Sequence, residues 1–580
     1  VARTEVYNKK KNRTTSLIVF SLAFLFILSS IGFWVVYPFP SDEKVPYFTE
    51  DYTMIFEEDI FNKQAMFSNQ LYIPYTFIKQ HIDSSIQFDE ESSSVIMTTD
   101  QKVYQMPSDS LNYYMNNSKQ KLSFPVLKQE NGNLYLASEW LQKVYPMEIR
   151  YFKDTKAVQI LEHDQILQKA TMRATEDEDL RRMRTSPTLT SPYVAELSEG
   201  VELFIEKDTK EYFKVRTENG VAGYLKKSVV QLNGTDRIKA EVQANKIPFK
   251  PSIEWPVHVT WDGIYQASAN PTSQPDLEGV KVLSPTWFEL QNGEGDIRNI
   301  ASKSYVDQAH EKGYRVWALF SNAFEPDRTQ KALSTYESRQ KMIKQLLQYA
   351  EIYNLDGLNL DFENVYEQDG PKLTQFAREL TPLAHEAGLV VSMDITFISE
   401  SAMWSKFYER EELADAVDYL MVMAYDEHWG SSQVAGSVSS LPWVKRNLNQ
   451  LLQVVPHDRL ILGVPLYTRL WKIEQGENGK KVSSESFTME EAEKWMKERD
   501  LESKYDRSTG QDYVEYQVPD KSITYKMWLE NKTSLAKRAQ LVHQFQLAGI
   551  ATWSKYFADD EAWKTLDEEL SHRKIVQKSE

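Results

Sequence analysis

The sequence predicts an α/β chain whose C-terminal part, about residues 250–570, closes as a (β/α)8 barrel with a small α/β insertion. Before the barrel it predicts a transmembrane helix, a small α+β domain and an all-β module. Three observations carry this. Eight apolar segments alternate with amphipathic ones along the last 320 or so residues, the pattern of buried parallel strands with crossover helices. The fourth of those segments breaks its apolar character with polar groups on one face only. Near the N-terminus, residues 17–37 form an uncharged apolar run.

The bulk numbers agree with several folded domains. A chain of 580 residues is too long for one core, and its 14 Trp, 31 Tyr and 26 Phe supply ample apolar surface. A net charge of −17 argues against a nucleic-acid partner. The absence of Cys excludes disulfides, thiolate metal sites and thiol nucleophiles. The nine His include no His-x-x-x-His pair and the chain has no phosphate-binding Gly-rich loop, so neither metal nor cofactor is expected.

The apolar run LIVFSLAFLFILSSIGFWVVY, Leu17 to Tyr37, makes a helix of about 31 Å, matching bilayer hydrocarbon. Arg3, Lys9, Lys10, Lys11 and Arg13 precede it against Glu5, and Asp42 and Glu43 follow. The positive-inside rule then predicts a cytoplasmic tail at 1–16, an anchor at 17–38 and everything after it outside the cell membrane. A cleaved signal peptide is the alternative, with a shorter apolar core and an Ala-x-Ala-like site that this segment lacks.

Between 45 and 168, LYIPYTFIKQHI and NGNLYLASEWLQKVY each read as a strand running into a helix, which suggests a duplicated unit. SSVIMTTD and AVQILEHD alternate at period two. This stretch resembles the copper amine oxidase N-terminal domain, without implying copper chemistry. His81 and His163 are its only histidines, scattered as surface or core residues are; the segment reads as a stalk or binding module. Residues 170–233 are short strands between turn signals, with Asn219-Gly220 as a hairpin turn. The pattern MRTSPTLTSPYVAEL…GVAGYLKKS resembles a bacterial SH3-like barrel, which implies either cell-wall binding or a spacer.

The barrel strands are PVHVTWD, KVLSPTWFEL, RVWALFSN, LDGLNLDFENV, LVVSMDITF, VDYLMVMAYDE, RLILGVPLYTRLW and GIATWSK. Residues 472–530 exceed one crossover and predict an inserted lobe. In the fourth strand, Leu355 to Val365, Asn359, Asp361 and Glu363 share one face, and Leu358, Leu360 and Phe362 the other. The apolar face must meet the helices, so the carboxylates point into the lumen. Glu363 is nearest the C-terminal end, where such barrels carry their active sites. Two close carboxylates in a low-dielectric site cannot easily both ionise, which leaves a protonated acid at neutral pH. A purely structural acidic ladder would need cations, and none lies between Leu355 and Val365.

Asp356-Gly-Leu-Asn-Leu-Asp-Phe-Glu363 resembles the DGxDxDxE signature of family 18 glycoside hydrolases. Met423-Ala-Tyr425-Asp426 resembles the family's MxYD on strand six, LVVSMDI its fifth strand, and Trp553 the strand-eight Trp that floors the −1 sugar subsite. Asp-Phe-Glu-Asn, VPLYTRLW and YKMWLENKTSLAKRAQLV resemble the spore-cortex and cell-wall N-acetylglucosaminidases. The resemblance implies retaining, substrate-assisted hydrolysis of β-1,4 bonds at N-acetylglucosamine in peptidoglycan or a related glycan. It makes Glu363 the acid and later base. It has Asp361 orient the substrate's acetamide, Tyr425 bond the acetamide carbonyl and Trp553 stack under the ring. Asp356 supports the motif, and Asp426, Tyr467, Arg469 and Met423 join the sugar-binding groups on strands six and seven. A chitinase-like hydrolase of other N-acetylated glycans, and a non-catalytic glycan-binding protein, are the alternatives.

The motif departs from the family at Asn359, where the signature has Asp, and this leaves open how the proton is distributed over Asp361 and Glu363. His428 reads as a loop residue. Trp261, Trp287 and Trp317 fit a sugar groove or the core, and Met421 and Met423 share a core-like strand face.

Overall fold

The computed structural model describes residues 13–36, 39–61, 64–240, 249–266, 276–476 and 479–571. It divides into two units. One gathers residues up to Ser84 with those between 125 and 245; the other gathers Ser85–Phe124 with residues from 246 onward.

In the first unit the apolar N-terminal run is helical over Arg13–Val36. Its side chains from Ile18 to Phe33 are all exposed. Among the described residues no helix is long and apolar enough to cross a membrane, so the expected span over 17–38 is not supported there. Residues 1–12 of the expected tail lie outside the described residues.

The duplicated strand–helix unit is present. Gln70–Pro74 leads into the helix Tyr75–His81, and Asn133–Ala137 into the helix Ser138–Val144. The two strands pair antiparallel through Leu136 and Ile73, with Phe77 and Trp140 buried beneath them. His81 packs among Phe56, Phe61 and Phe77. Residues 166–237 belong to a seven-stranded sheet over a core that includes Met183, Leu203 and Val215. Its Asn219-Gly220 turn is wider than a two-residue hairpin. The strands Tyr212–Thr217 and Ala222–Lys226 flank a four-residue loop in which Gly220 takes φ 86° and donates its N–H to Thr217 O at 3.0 Å.

The second unit holds the barrel. Its eight parallel strands are Val257–Asp262, Val282–Leu290, Arg315–Ser321, Gly357–Asp361, Val390–Thr396, Tyr419–Met423, Leu460–Pro465 and Gly549–Trp553. The first pairs with both the second and the eighth, which closes the ring. The lumen is filled by Trp261, Trp317, Met421 and small aliphatic side chains, and Trp287 lies in the core between strands and helices. All three tryptophans are buried and read as core.

Residues 85–124, expected within the stalk domain, cluster with the barrel instead. They form a five-stranded antiparallel sheet whose Ile96 and Val103 share the barrel's outer core. Asp89 Oδ1 accepts the Tyr336 N–H at 2.7 Å, and Asn116 Nδ2 donates to Glu386 Oε2 at 2.8 Å. Apolar burial against the helices outweighs adjacency in sequence.

The inserted lobe begins earlier than expected. VPLYTRLW does not continue as one strand: the seventh barrel strand stops at Pro465, and Thr468–Gly476 opens a separate five-stranded sheet. Proline offers no N–H to a ladder, and the chain turns out of the barrel just beyond it. A buried ion pair, Arg538 with Glu530, ties the lobe's last strand to the barrel, with Glu530 also accepting from Gln511 Nε2 at 2.9 Å and Ser534 Oγ at 2.8 Å.

Candidate active site

The fourth strand ends at Asp361, short of the expected Val365. Beyond it, side chains replace ladder partners. Asn322 accepts the Glu363 N–H at 3.1 Å and donates to Glu363 O at 2.8 Å, and the buried Tyr408 hydroxyl donates to Phe362 O at 2.9 Å. Asn364 then takes φ 53°. Glu363 is thereby fixed at the open C-terminal end of the strand, as predicted, while Phe362 is buried against the helices.

Asn359 and Asp361 face the lumen below it. Asn359 is fully buried; it accepts from Ser392 Oγ at 2.8 Å and donates to Asp394 Oδ2 at 2.9 Å. Asp394, on the fifth strand, is 2% exposed. The quoted fifth-strand motif contained this residue, but alternation in a strand buried on both faces did not single it out. Asp361 Oδ1 and Asp394 Oδ1 are both buried without a hydrogen-bond partner among the described residues. Three carboxyl groups therefore share the strand-four and strand-five side of the lumen.

Their electrostatics follow from burial. Desolvation pushes Asp361 up to about 7. Glu363 is raised well above the usual carboxylate range by burial, then by Asp361 and Asp426. Asp394 is raised by burial and by Asp361, against the lowering effect of the Asn359 hydrogen bond. A carboxyl raised in this way is suited to donate a proton.

Strand six ends in Met423, with Tyr425 and Asp426 just beyond it. The Tyr425 phenol is pushed well above its usual range by burial, then by its acidic neighbours Asp394 and Glu363. Asp426, at φ 59°, accepts from Tyr467 Oη at 2.6 Å and Arg469 Nη2 at 3.0 Å. Arg469 therefore reaches the site from the lobe's first strand rather than from barrel strand seven. Trp553 ends strand eight, 5.9 Å from Trp261 between ring centroids. A cleft of about 820 Å³ opens over Glu363, Met423, Tyr425 and Asp426 and is walled by Trp404 and Trp429. Met423 lines this cleft, unlike the fully buried Met421.

Asp356 stands away from the cleft, Trp553, Tyr467 and Arg469 are not among its lining residues, and His428 is a loop residue as expected. Asp356 lies at the N-terminal end of strand four, where its Oδ2 accepts Val316 N–H at 2.8 Å and pairs with His310 Nε2 at 2.8 Å; its role is to hold neighbouring strands. His428 is tied to its own loop by a 2.8 Å contact with Ser437 O. Asn322 and Asp394 are the site residues that pattern alone missed. For Asn322 the available signal was a polar side chain just past the end of a barrel strand; Asp394, inside strand five, offered none.

The sequence matches the family Glycosyl hydrolases family 18 over residues 284–557 and the Copper amine oxidase N-terminal domain over residues 57–160. The uncharacterized glycosylase YvbX of Bacillus subtilis is 23% identical over 296 residues, covering 49% of this chain and 83% of that protein. The cortical fragment-lytic enzyme of the same species is 21% identical over 257 residues, covering 44% of this chain and 58% of that enzyme. The spore cortex-lytic enzyme SleL of Bacillus megaterium superposes with a TM-score of 0.49 at 16% identity, covering 64% of this chain and 89% of that one. Residues 284–557 thus form a family 18 glycosyl hydrolase domain.

Proposed function

We propose that this protein hydrolyses β-1,4 bonds at N-acetylglucosamine in peptidoglycan by a retaining, substrate-assisted mechanism. The observation that carries the reading is Glu363 at the mouth of the barrel, its carboxyl raised by burial and by Asp361 beneath it, with no second carboxyl placed as a nucleophile in its motif. Glu363 gives its proton to the glycosidic oxygen as the C1–O bond breaks. The carbonyl oxygen of the sugar's own acetamide bonds to C1, and Asp361 accepts the acetamide N–H as positive charge develops there. Tyr425 steadies the carbonyl and Trp553 supports the ring. Glu363, now a carboxylate, takes a proton from water as its oxygen attacks C1 and reopens the acetamide. Two inversions give net retention.

The likeness to a cortical fragment-lytic enzyme supports a wall glycan as substrate. The apolar run at residues 17–37 and its flanking charges support attachment to the cell membrane with the barrel outside. The all-β module at 170–233 would then serve as an SH3-like contact to the wall. The test is to incubate the full chain and its Glu363→Gln variant with purified peptidoglycan and with chitin oligomers. New reducing ends from peptidoglycan, lost on substitution, support the proposal. Release from chitin alone moves the substrate to another N-acetylated glycan, and binding without release removes the hydrolytic reading.

A further inference from the structure

The family signature carries Asp where this chain has Asn359, yet the lumen has not lost its carboxyl group. Parallel strands four and five pair Asn359 with Ser392 and Leu360 with Met393, so the next residues along, Asp361 and Asp394, come level. Both side chains are on the lumen faces of their strands. Each carries one buried oxygen, Oδ1, without a hydrogen-bond partner among the described residues. The other oxygen of Asp394 is held by Asn359 Nδ2 at 2.9 Å, and Asn359 is itself fixed by Ser392 Oγ. An amide whose oxygen is already taken by a hydroxyl can only donate to Asp394, so Asn359 favours the ionised form of that carboxyl.

We infer that Asp361 and Asp394 share one proton across adjacent strands, and that Asp394 is the positioning residue that takes it when Asp361 turns to the substrate's acetamide. This rests on the substrate-assisted reading above. The only bond change is the transfer of this proton. It leaves Asp361, which becomes the carboxylate that accepts the acetamide N–H, and it comes to rest on Asp394, neutral beside Asn359. The groups that face Asp394 are Asp361 and Glu363 from strand four, Trp261 from strand one, and the buried phenols Tyr425 and Tyr408. None of these is a cation that could hold two carboxylates ionised together, and like charges so placed yield one proton to the pair. The chain thus moves to strand five the acidic group that its motif lacks on strand four.

Infrared spectra of the full chain in a Glu363→Gln background test this without requiring activity. At pH 6 the parent retains one protonated carboxyl, and Asp361→Asn or Asp394→Asn each abolishes it. Persistence of that band in either variant, or its absence from the parent, overturns the shared proton. With otherwise native protein and a glycan substrate, Asp394→Asn lowers kcat about 100-fold with little change in KM and displaces the pH profile. Adding Asn359→Asp to it restores most of kcat, whereas Asn359→Asp added to Asp394→Ala, which leaves a gap, does not. An unchanged kcat and pH profile in Asp394→Asn contradicts the inference. If the native chain cleaves no N-acetylated glycan, the functional reading falls and the infrared result still decides the proton.

Discussion

Asn322 grips both backbone polar groups of Glu363 with one side chain, accepting its N–H at 3.1 Å and donating to its carbonyl at 2.8 Å. Asn322 is fully buried, and its Nδ2 also reaches Thr329 Oγ1 at 2.9 Å. The acid is thus positioned from strand three, at the point where strand four gives up its ladder. Asn322→Ala should leave two buried backbone groups unpaired, costing about 1–3 kcal/mol of stability and about 100-fold in kcat through misplacement of the carboxyl. Urea denaturation and steady-state kinetics on the same preparation check both, and wild-type kcat would remove Asn322 from the positioning role.

The raised carboxyls make stability depend on pH in an unusual direction. Asp361 titrates at about 7 in the fold against 3.8 when unfolded. Between those values the folded chain holds a proton that the unfolded chain has lost. Its contribution is therefore complete below pH 3.8 and declines as pH rises to 7. Asp361→Asn should flatten this decline, so its melting temperature exceeds that of the native chain more at pH 8 than at pH 4. Thermal melts at the two values test it, each kcal/mol appearing as about 2–4 °C in a domain of this size. An equal difference at both contradicts the account.

Much of this was readable beforehand, and the reasons are local. All eight barrel strands fall on the apolar segments because strands buried on both faces need continuous apolar runs. The placement of Glu363, Asp361, Tyr425 and Trp553 at or just beyond strand ends was legible from where each apolar run stops. Asp394 was not, since a single carboxyl in LVVSMDITF acquires meaning only beside Asn359, on another strand. Arg469 reads as part of strand seven because VPLYTRLW is mostly apolar, and the break after Pro465 follows from lobe packing rather than local pattern. The placement of residues 85–124 against barrel helices depends on contacts such as Asp89 with Tyr336, remote in sequence.

Asp426 depends on partners from two structures, the barrel and its lobe. Tyr467→Phe removes the 2.6 Å hydrogen bond while keeping the ring, and a bond to a charged acceptor contributes about 1.5–3 kcal/mol. The expected result is a KM raised about ten-fold or more with kcat nearly kept, if Asp426 holds ground-state sugar. A fall in kcat at constant KM would instead place Asp426 in the reacting geometry.

The Arg538–Glu530 pair is buried at both ends. Arg538→Met should strand the Glu530 carboxylate and cost about 3–5 kcal/mol, whereas pairing it with Glu530→Gln should return part of that loss. Chemical denaturation of the two variants distinguishes a load shared by the pair from simple packing, in which case the double variant would be no more stable than the single.

The most direct test of the central assignment compares leaving groups. In single turnovers, Glu363→Gln should lose about 10²–10⁴-fold on an N-acetylated glycan, whose leaving oxygen needs a proton. On an N-acetylated β-glycoside with an activated leaving group that needs none, release in the first step should stay close to the native rate. An equal loss on both substrates would contradict Glu363 as the acid.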